Sequence, residues 1–342
     1  MKCSVITGPV YDRHDCPGHP ESAQRLHTIA AHLPAGIPVL DPVAATAEDL
    51  GRVHKAGYLS WLRSLSPFPV TGTTKDPDLA AIQWFIDADT YITPWSYDVA
   101  TYAAGAACRA ADRARDGESC FAFVRPPGHH ALPGWAMGFC IINNVAVAAA
   151  RALDSVDKVA IIDWDLHHGN GTQEIFVKSD RVVYCSVHAE GLFPYSGAAV
   201  EIGTGPGAGY TVNAPLMPGS TIGDVAHVFT DLFFPVLERV HPDLILVSAG
   251  QDMLFDDPLS VMGLVPEDYG TLTSLLLDAT GLSPAFVLEG GYGPGNPAAI
   301  NAILESVDGR RFTDPLPEPS ATTRARVRMF RKLHGITNDR AR

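Results

Sequence analysis

Residues 159–171 read VAIIDWDLHHGNG. A short apolar run stops at an aspartate, and Asp163, Asp165, His167 and His168 follow almost at once. In an extended chain, residues two apart share a face. If the run continues extended, Asp163, Asp165 and His167 all point one way. Two ionised carboxylates side by side repel, and no Lys or Arg stands between residues 159 and 177 to compensate them. A bound cation would. Asp165 and His167 therefore read as two metal ligands, with Asp252 available as a third. One imidazole, two carboxylates and water make an open Zn2+ site, and Fe2+, Co2+ or Mn2+ suit the same donors. Asp163 would then orient a histidine or hold another cation. The plainer alternative is a capped turn between a strand and a helix.

Outward from this stretch, short apolar runs recur: FAFV (121–124), VAII (159–162), VVYCSV (182–187), LILVSA (244–249) and AFVLE (285–289). Longer helical patterns cover 96–116, 143–154, 224–240 and 267–280. This alternation predicts a mostly parallel sheet with helices on both faces. Runs that are apolar throughout suit strands buried between layers. Ligands of such sheets bind beyond the carboxyl ends of the strands. Four strand ends deliver reactive side chains here: RPPGHH with His129 and His130, DWDLHHGN, GQD with Asp252, and GGYG with Tyr292.

The prolines and Gly128 stiffen the first of these turns, so His129 and His130 have limited freedom. Two histidines in series beside a metal suit general acid and base work near neutral pH. Gly290 and Gly291 permit a close-approaching backbone, and the Tyr292 phenol can stabilise a developing oxyanion. Together these parts describe metal-assisted hydrolysis of a carbonyl compound. No G-x-S-x-G, Walker A or dinucleotide fingerprint competes with that reading. GTGPGAG (203–209) lacks a strand-to-helix context and reads as loop.

Composition narrows the rest. The net charge of −13 argues against a general nucleic-acid surface. The exception is the basic run from Arg324 to Lys332, which reads as a solvated amphipathic helix or a subunit contact. No run approaches the roughly 18–20 apolar residues of a membrane span. Cys3, Cys16, Cys108, Cys120, Cys140 and Cys185 form no CxxC pair, so they read as buried thiols in a reducing cytoplasm. No secretory signal is visible at the start of the sequence.

RPPGHHA, GFCIINNVAVAA, DWDLHHGNGTQEIF, SAGQDMLFDDPLSVMGL and LEGGYG occur in this order. They resemble the motifs of the zinc-dependent histone deacetylases, a group that includes bacterial acetylpolyamine amidohydrolases. The resemblance runs from DRHDCPGHPESAQRL near residue 12 to about residue 300, and RPPGHH with Asn170 points to the class II branch. It implies an arginase-like three-layer α/β fold and one catalytic domain over 1–342, ending in a basic helical tail at 315–342. It implies Zn2+ on Asp165, His167 and Asp252, and His130 as general base and then acid. His129, backed by Asp163, would be its electrostatic partner, and Asn170 would hold His130. Tyr292 would polarise the acyl oxygen. Gly138, Phe139, Phe193, Leu259, Gly290 and Gly291 would line a narrow channel. A structural K+ or Na+ would use Asp163, Asp165, His167, Ser186 and Val187, and a second such ion would lie near Phe176, Val182 and Tyr210.

Two departures bear on substrate. An acidic residue of class I relatives that contacts the substrate backbone has no clear counterpart, with YITP (91–94) in its place. A gatekeeper Glu of some polyamine deacetylases falls at Leu259. The family thus leaves acetyl-lysine-like substrates, acetylpolyamines and other small amides open. A binuclear-manganese ureohydrolase of the same fold would need ligands where this chain has Gly169 and Gly250. A non-catalytic acyl-peptide binding module would be expected to lose a ligand or Tyr292, and none is missing. Relatives form dimers and tetramers, which makes a homo-oligomer the expectation, with 74–95 as a candidate inserted loop.

Overall fold

The computed structural model describes residues 3–68, 83–312 and 315–336. Its strands are β1 Cys3–Ile6, β2 Val39–Leu40, β3 Trp84–Phe85, β4 Tyr91–Ile92, β5 Ser119–Ala122, β6 Val159–Asp163, β7 Val182–Ala189, β8 Thr211–Leu216, β9 Leu244–Ala249 and β10 Ala285–Leu288. Eight of them form one sheet in the order β2-β1-β5-β10-β9-β6-β7-β8. Every neighbouring pair in it is parallel. β5, β6, β7, β9 and β10 are buried along their whole length. Helices pack around this sheet, as an arginase-like α/β fold requires: Ser96–Arg115 against β5, β9 and β10, and Asn144–Ala152 against β6 and β9.

Local chemistry explains these elements. The helix Ser96–Arg115 carries a run of buried alanines, whose small side chains let neighbours approach closely. At Gly105 a Cβ would lie 2.5 Å from the Ala45 nitrogen, so the chain at 43–45 rests directly on the helix backbone. Asn143 opens the next helix by accepting from the Ala146 N–H at 3.0 Å. Gly281, at φ +66, ends Pro266–Thr280 in the left-handed conformation that glycine adopts freely.

The structure revises several boundaries. The strand expected at 121–124 lies at Ser119–Ala122. β1, β2 and β8 carry no expected run; β8 contains Asn213 and Pro215, which the sheet edge tolerates because one side needs no hydrogen-bond donors. The helix expected over 224–240 is Ile222–Val228, a π-turn at Phe229–Phe233, then Phe234–Val240. Pro235 offers no N–H to the preceding turn, which widens where that bond is lost. GTGPGAG is a loop holding one tight turn at Gly205–Gly207. In the tail, Ala321–Leu333 is helical, with Val327 and Phe330 inward. Arg326 binds Glu190 at 2.7 Å and Arg331 approaches Asp231 at 3.5 Å, so part of the basic charge is spent within the chain. Of the segment 74–95, residues 74–82 lie outside the described residues, and the remainder includes the hairpin β3–β4. All six cysteines are free and buried. No helix among the described residues is long and apolar enough to cross a membrane.

Candidate active site and metal centre

β5, β10, β9, β6 and β7 are adjacent in the sheet, and the loops leaving their carboxyl ends meet over one cavity of about 180 Å³. The opening stretch sits at its base. β6 stops at Asp163, yet the alternation continues beyond it. The Asp165 N–H donates to Asp163 Oδ1 at 3.2 Å, and the His167 N–H donates to Asp165 Oδ1 at 2.9 Å. These side-chain bonds replace the ladder bonds a longer strand would make. Trp164 and Leu166 point the other way, fully buried.

Asp165, His167 and Asp252 bring one donor atom each within 4.8 Å of one another. His167 Nδ1 lies 3.1 Å from Asp252 Oδ2 and 3.3 Å from Asp165 Oδ1. A tetrahedral ion with ligands at ~2.0–2.1 Å spaces them about 3.3 Å apart, so the donor set fits Zn2+. The remaining carboxylate oxygens are held by the backbone: Gly290 N–H on Asp165 Oδ2 and Leu166 N–H on Asp252 Oδ1, each at 2.8 Å. Burial and the Asp165 charge push Asp252 up to about 7. Burial disfavours a charged His167, but Asp165 and Asp252 outweigh it and raise it to about 10. Protons held on this cluster would compete with a metal ion for the same donors.

Beside these candidate donors the two histidines diverge. His129 Nδ1 faces Asp163 Oδ2 at 3.2 Å, and Asp163 also accepts from the Tyr184 hydroxyl at 2.9 Å. Burial opposes charge on His129, but Asp165 and Asp163 raise it to about 10. His130 Nδ1 meets Asn170 Oδ1 at 2.8 Å. Burial, then His129 and His167, hold it well below the ordinary histidine value. Phe193 stands edge-on to His130 at 5.0 Å, and Phe139 edge-on to Tyr292 at 5.8 Å. Gly138, at φ +55, leaves room for both rings: a Cβ there would lie 2.6 Å from His130 and 2.8 Å from Phe193.

Every metal, catalytic and channel residue expected from the sequence lines this cavity except Gly291. Gly291 lines a neighbouring cavity, and its carbonyl accepts from Arg25 Nε at 2.6 Å. For the monovalent ions, Asp163 and Ser186 are register partners across β6 and β7, with Val187 next. The Tyr210 carbonyl accepts from Tyr184 N–H at 2.8 Å, and Val182 and Phe176 are buried. His168 is structural: it bonds Ser196 at 2.8 Å and Gln173 at 3.0 Å. Gly169 and Gly250 leave no space for further ligands. A Cβ at Gly169 would lie 2.5 Å from the Tyr184 hydroxyl, and one at Gly250 would lie 2.6 Å from Asp165 Cγ.

Three contributors escaped the sequence reading. Glu289 lies beneath the RPPGHH turn, accepting from Gly128 N–H at 2.7 Å, His129 N–H at 3.1 Å and Ser248 Oγ at 3.1 Å. A lone acid closing the run AFVLE was its signal. Arg25 lies over the Tyr292 ring at 4.5 Å. Asp89, in the β3–β4 hairpin, lines the cavity; Tyr91 of the YITP segment is instead buried against Glu21.

A family model described as the histone deacetylase domain matches residues 19–306. The chain belongs to the histone deacetylase family. It is 38% identical over 312 residues to the histone deacetylase-like amidohydrolase of Pseudomonas aeruginosa, covering 87% of this chain and 78% of that one. It is 37% identical over 310 residues to a probable deacetylase of Archaeoglobus fulgidus, covering 85% and 82%. Among solved structures, the HDA15 HD domain superposes with a TM-score of 0.87 at 31% identity, covering 97% of this chain and 94% of that one. The histone deacetylase fold thus accounts for the parallel sheet and for the loops that converge at its carboxyl edge.

Proposed function

We propose that the chain hydrolyses an N-acyl amide, with Zn2+ held by Asp165, His167 and Asp252. The observation that carries this reading is His167 Nδ1 set 3.3 Å from Asp165 and 3.1 Å from Asp252, two buried carboxylates, in the cavity that His130 and Tyr292 also line. Homologues named as deacetylases and an amidohydrolase support the reaction class. When bound, the ion supplies Lewis acidity toward the acyl oxygen and acidifies a water molecule.

The chain's own residues do the rest. Asn170 Oδ1 accepts a hydrogen bond from His130 Nδ1–H, which leaves Nε2 as a neutral base for the attacking water. The same ring then returns a proton to the departing amine. His129, charged and paired with Asp163, adds positive potential where negative charge develops. The Tyr292 hydroxyl donates to the acyl oxygen. Its loop is anchored where Asp257 Oδ2 accepts the Tyr292 N–H at 2.5 Å and the Gly293 N–H at 2.9 Å. Phe139 and Phe193 exclude bulk water from the reacting bond.

The substrate we favour carries an amine portion with hydrogen-bond donors, as acyl-lysine-like chains and acetylpolyamines do. Asp89 supports this by offering a carboxylate where Leu259 presents an apolar wall. A panel of acetyl-lysine, trifluoroacetyl-lysine, acetylputrescine and neutral anilide amides, compared by kcat/KM, tests it. Preference for the neutral anilides would refute the substrate class while leaving amide hydrolysis standing.

A further inference from the structure

We propose that Cys140, His129 and Glu289 form a second metal site, for a thiophilic divalent ion such as Cd2+ or Zn2+ in excess, whose occupation withdraws His129 from the reaction and inhibits the enzyme. One donor atom from each residue lies within 4.8 Å of the other two. Cys140 and Glu289 are 0% exposed and His129 is 3% exposed. Sulfur, imidazole nitrogen and carboxylate oxygen together suit a borderline-soft ion.

Each donor has capacity left. His129 Nδ1 is committed to Asp163, so Nε2, which faces Asp165 Oδ1 at 3.8 Å, is the nitrogen a second ion would take. A carboxylate holding the far ring nitrogen is the arrangement that orients metal-binding histidines. Glu289 accepts three hydrogen bonds, and a carboxylate has about four acceptor positions, so one remains. On binding, the Cys140 thiol and the charged His129 ring each give up a proton to solvent. Access is through the catalytic cavity, which both Cys140 and His129 line. Two neighbouring dications repel, so this site fills after the catalytic one and binds more weakly.

The site is tested on enzyme loaded with one equivalent of Zn2+ and titrated with Cd2+. The expected result is an ultraviolet thiolate-to-cadmium charge-transfer absorption that rises as hydrolysis is lost. Asp165, His167 and Asp252 offer no sulfur, so Cd2+ exchanging into the catalytic site produces no such band. Cys140→Ser and Cys140→Ala should each abolish the absorption and raise the half-inhibitory Cd2+ concentration about tenfold or more. Two results overturn the proposal: no band in the unmodified enzyme, or the same band in both variants, which would place the ion on another cysteine. The absorption titration needs no turnover, so its outcome is separable from failure of the hydrolytic reading.

Discussion

Gly290→Ala should disable the metal centre while leaving the fold intact. The Gly290 N–H already donates to Asp165 Oδ2 at 2.8 Å. A Cβ on this residue would lie 2.7 Å from the same oxygen and closer still to Asp252 Oδ2, where ordinary contact begins at 3.4 Å. The Asp165 carboxylate would have to retreat by about 0.7 Å, and metal sites tolerate ligand shifts of only about 0.2 Å. Gly290 does not sit at positive φ, so alanine fits the backbone and the cost falls on the two carboxylates. Disturbing the groups that support metal ligands typically weakens binding 10–100-fold. With two ligands displaced at once, we expect a loss of about 100-fold, or about 2.7 kcal/mol. Chelator-competition titration of the apo variant with Zn2+ measures this, with apo-protein melting as the fold control. Zn2+ affinity within about threefold of the parent, in a variant that melts normally, would refute the assignment of Asp165 and Asp252 as ligands.

Tyr292→Phe and His130→Ala should each lower kcat about 10²-fold or more; near-parent turnover would remove that residue from its role. Gly197→Ala should raise KM more than it lowers kcat. Gly197, at φ +84, takes His188 Nε2 on its carbonyl, and a Cβ would lie 2.6 Å from that nitrogen, shifting the loop that carries Phe193; an unchanged KM would count against Phe193 as a channel wall. The contribution of His54 to stability should rise with pH between about 4 and 6.5. His54 is lowered to about 4 by burial, and its Nε2 must stay unprotonated to accept the Asn143 N–H at 3.0 Å. In that window the unfolded chain binds a proton that the folded chain does not, so the group contributes a slope of up to about 1.4 kcal/mol per pH unit. His54→Gln should flatten the curve of unfolding free energy against pH, and an identical slope would show that His54 is charged in the fold.

The cluster of Asp165, His167 and Asp252 could be drawn together from the sequence because Asp163, Asp165 and His167 alternate locally, and the loop carrying Asp252 could be placed by the rule that parallel sheets bind ligands at their carboxyl edge. What could not be read depends on distant segments meeting. Arg25 reaches the Gly291 carbonyl from 266 residues away in sequence. Arg125 forks onto Glu21, at 2.8 Å from Oε1 and 2.6 Å from Oε2, and takes Tyr91 into the same buried network. No spacing rule announces such a cluster. Glu289 was hidden by its place at the end of an apolar run, and Asp89 by a hairpin whose strands are two residues each. The π-turn follows from Pro235, whose effect within a strong helical pattern depends on how the neighbouring turn repacks.

The most direct test of the metal-dependent account is hydrolysis of an acetyl-lysine peptide before and after exhaustive chelation, followed by titration with Zn2+. Activity should disappear with the metal and return with a stoichiometry of one ion per chain, passing through a maximum as the second site begins to fill. Full activity in thoroughly metal-stripped protein would contradict the account at its centre.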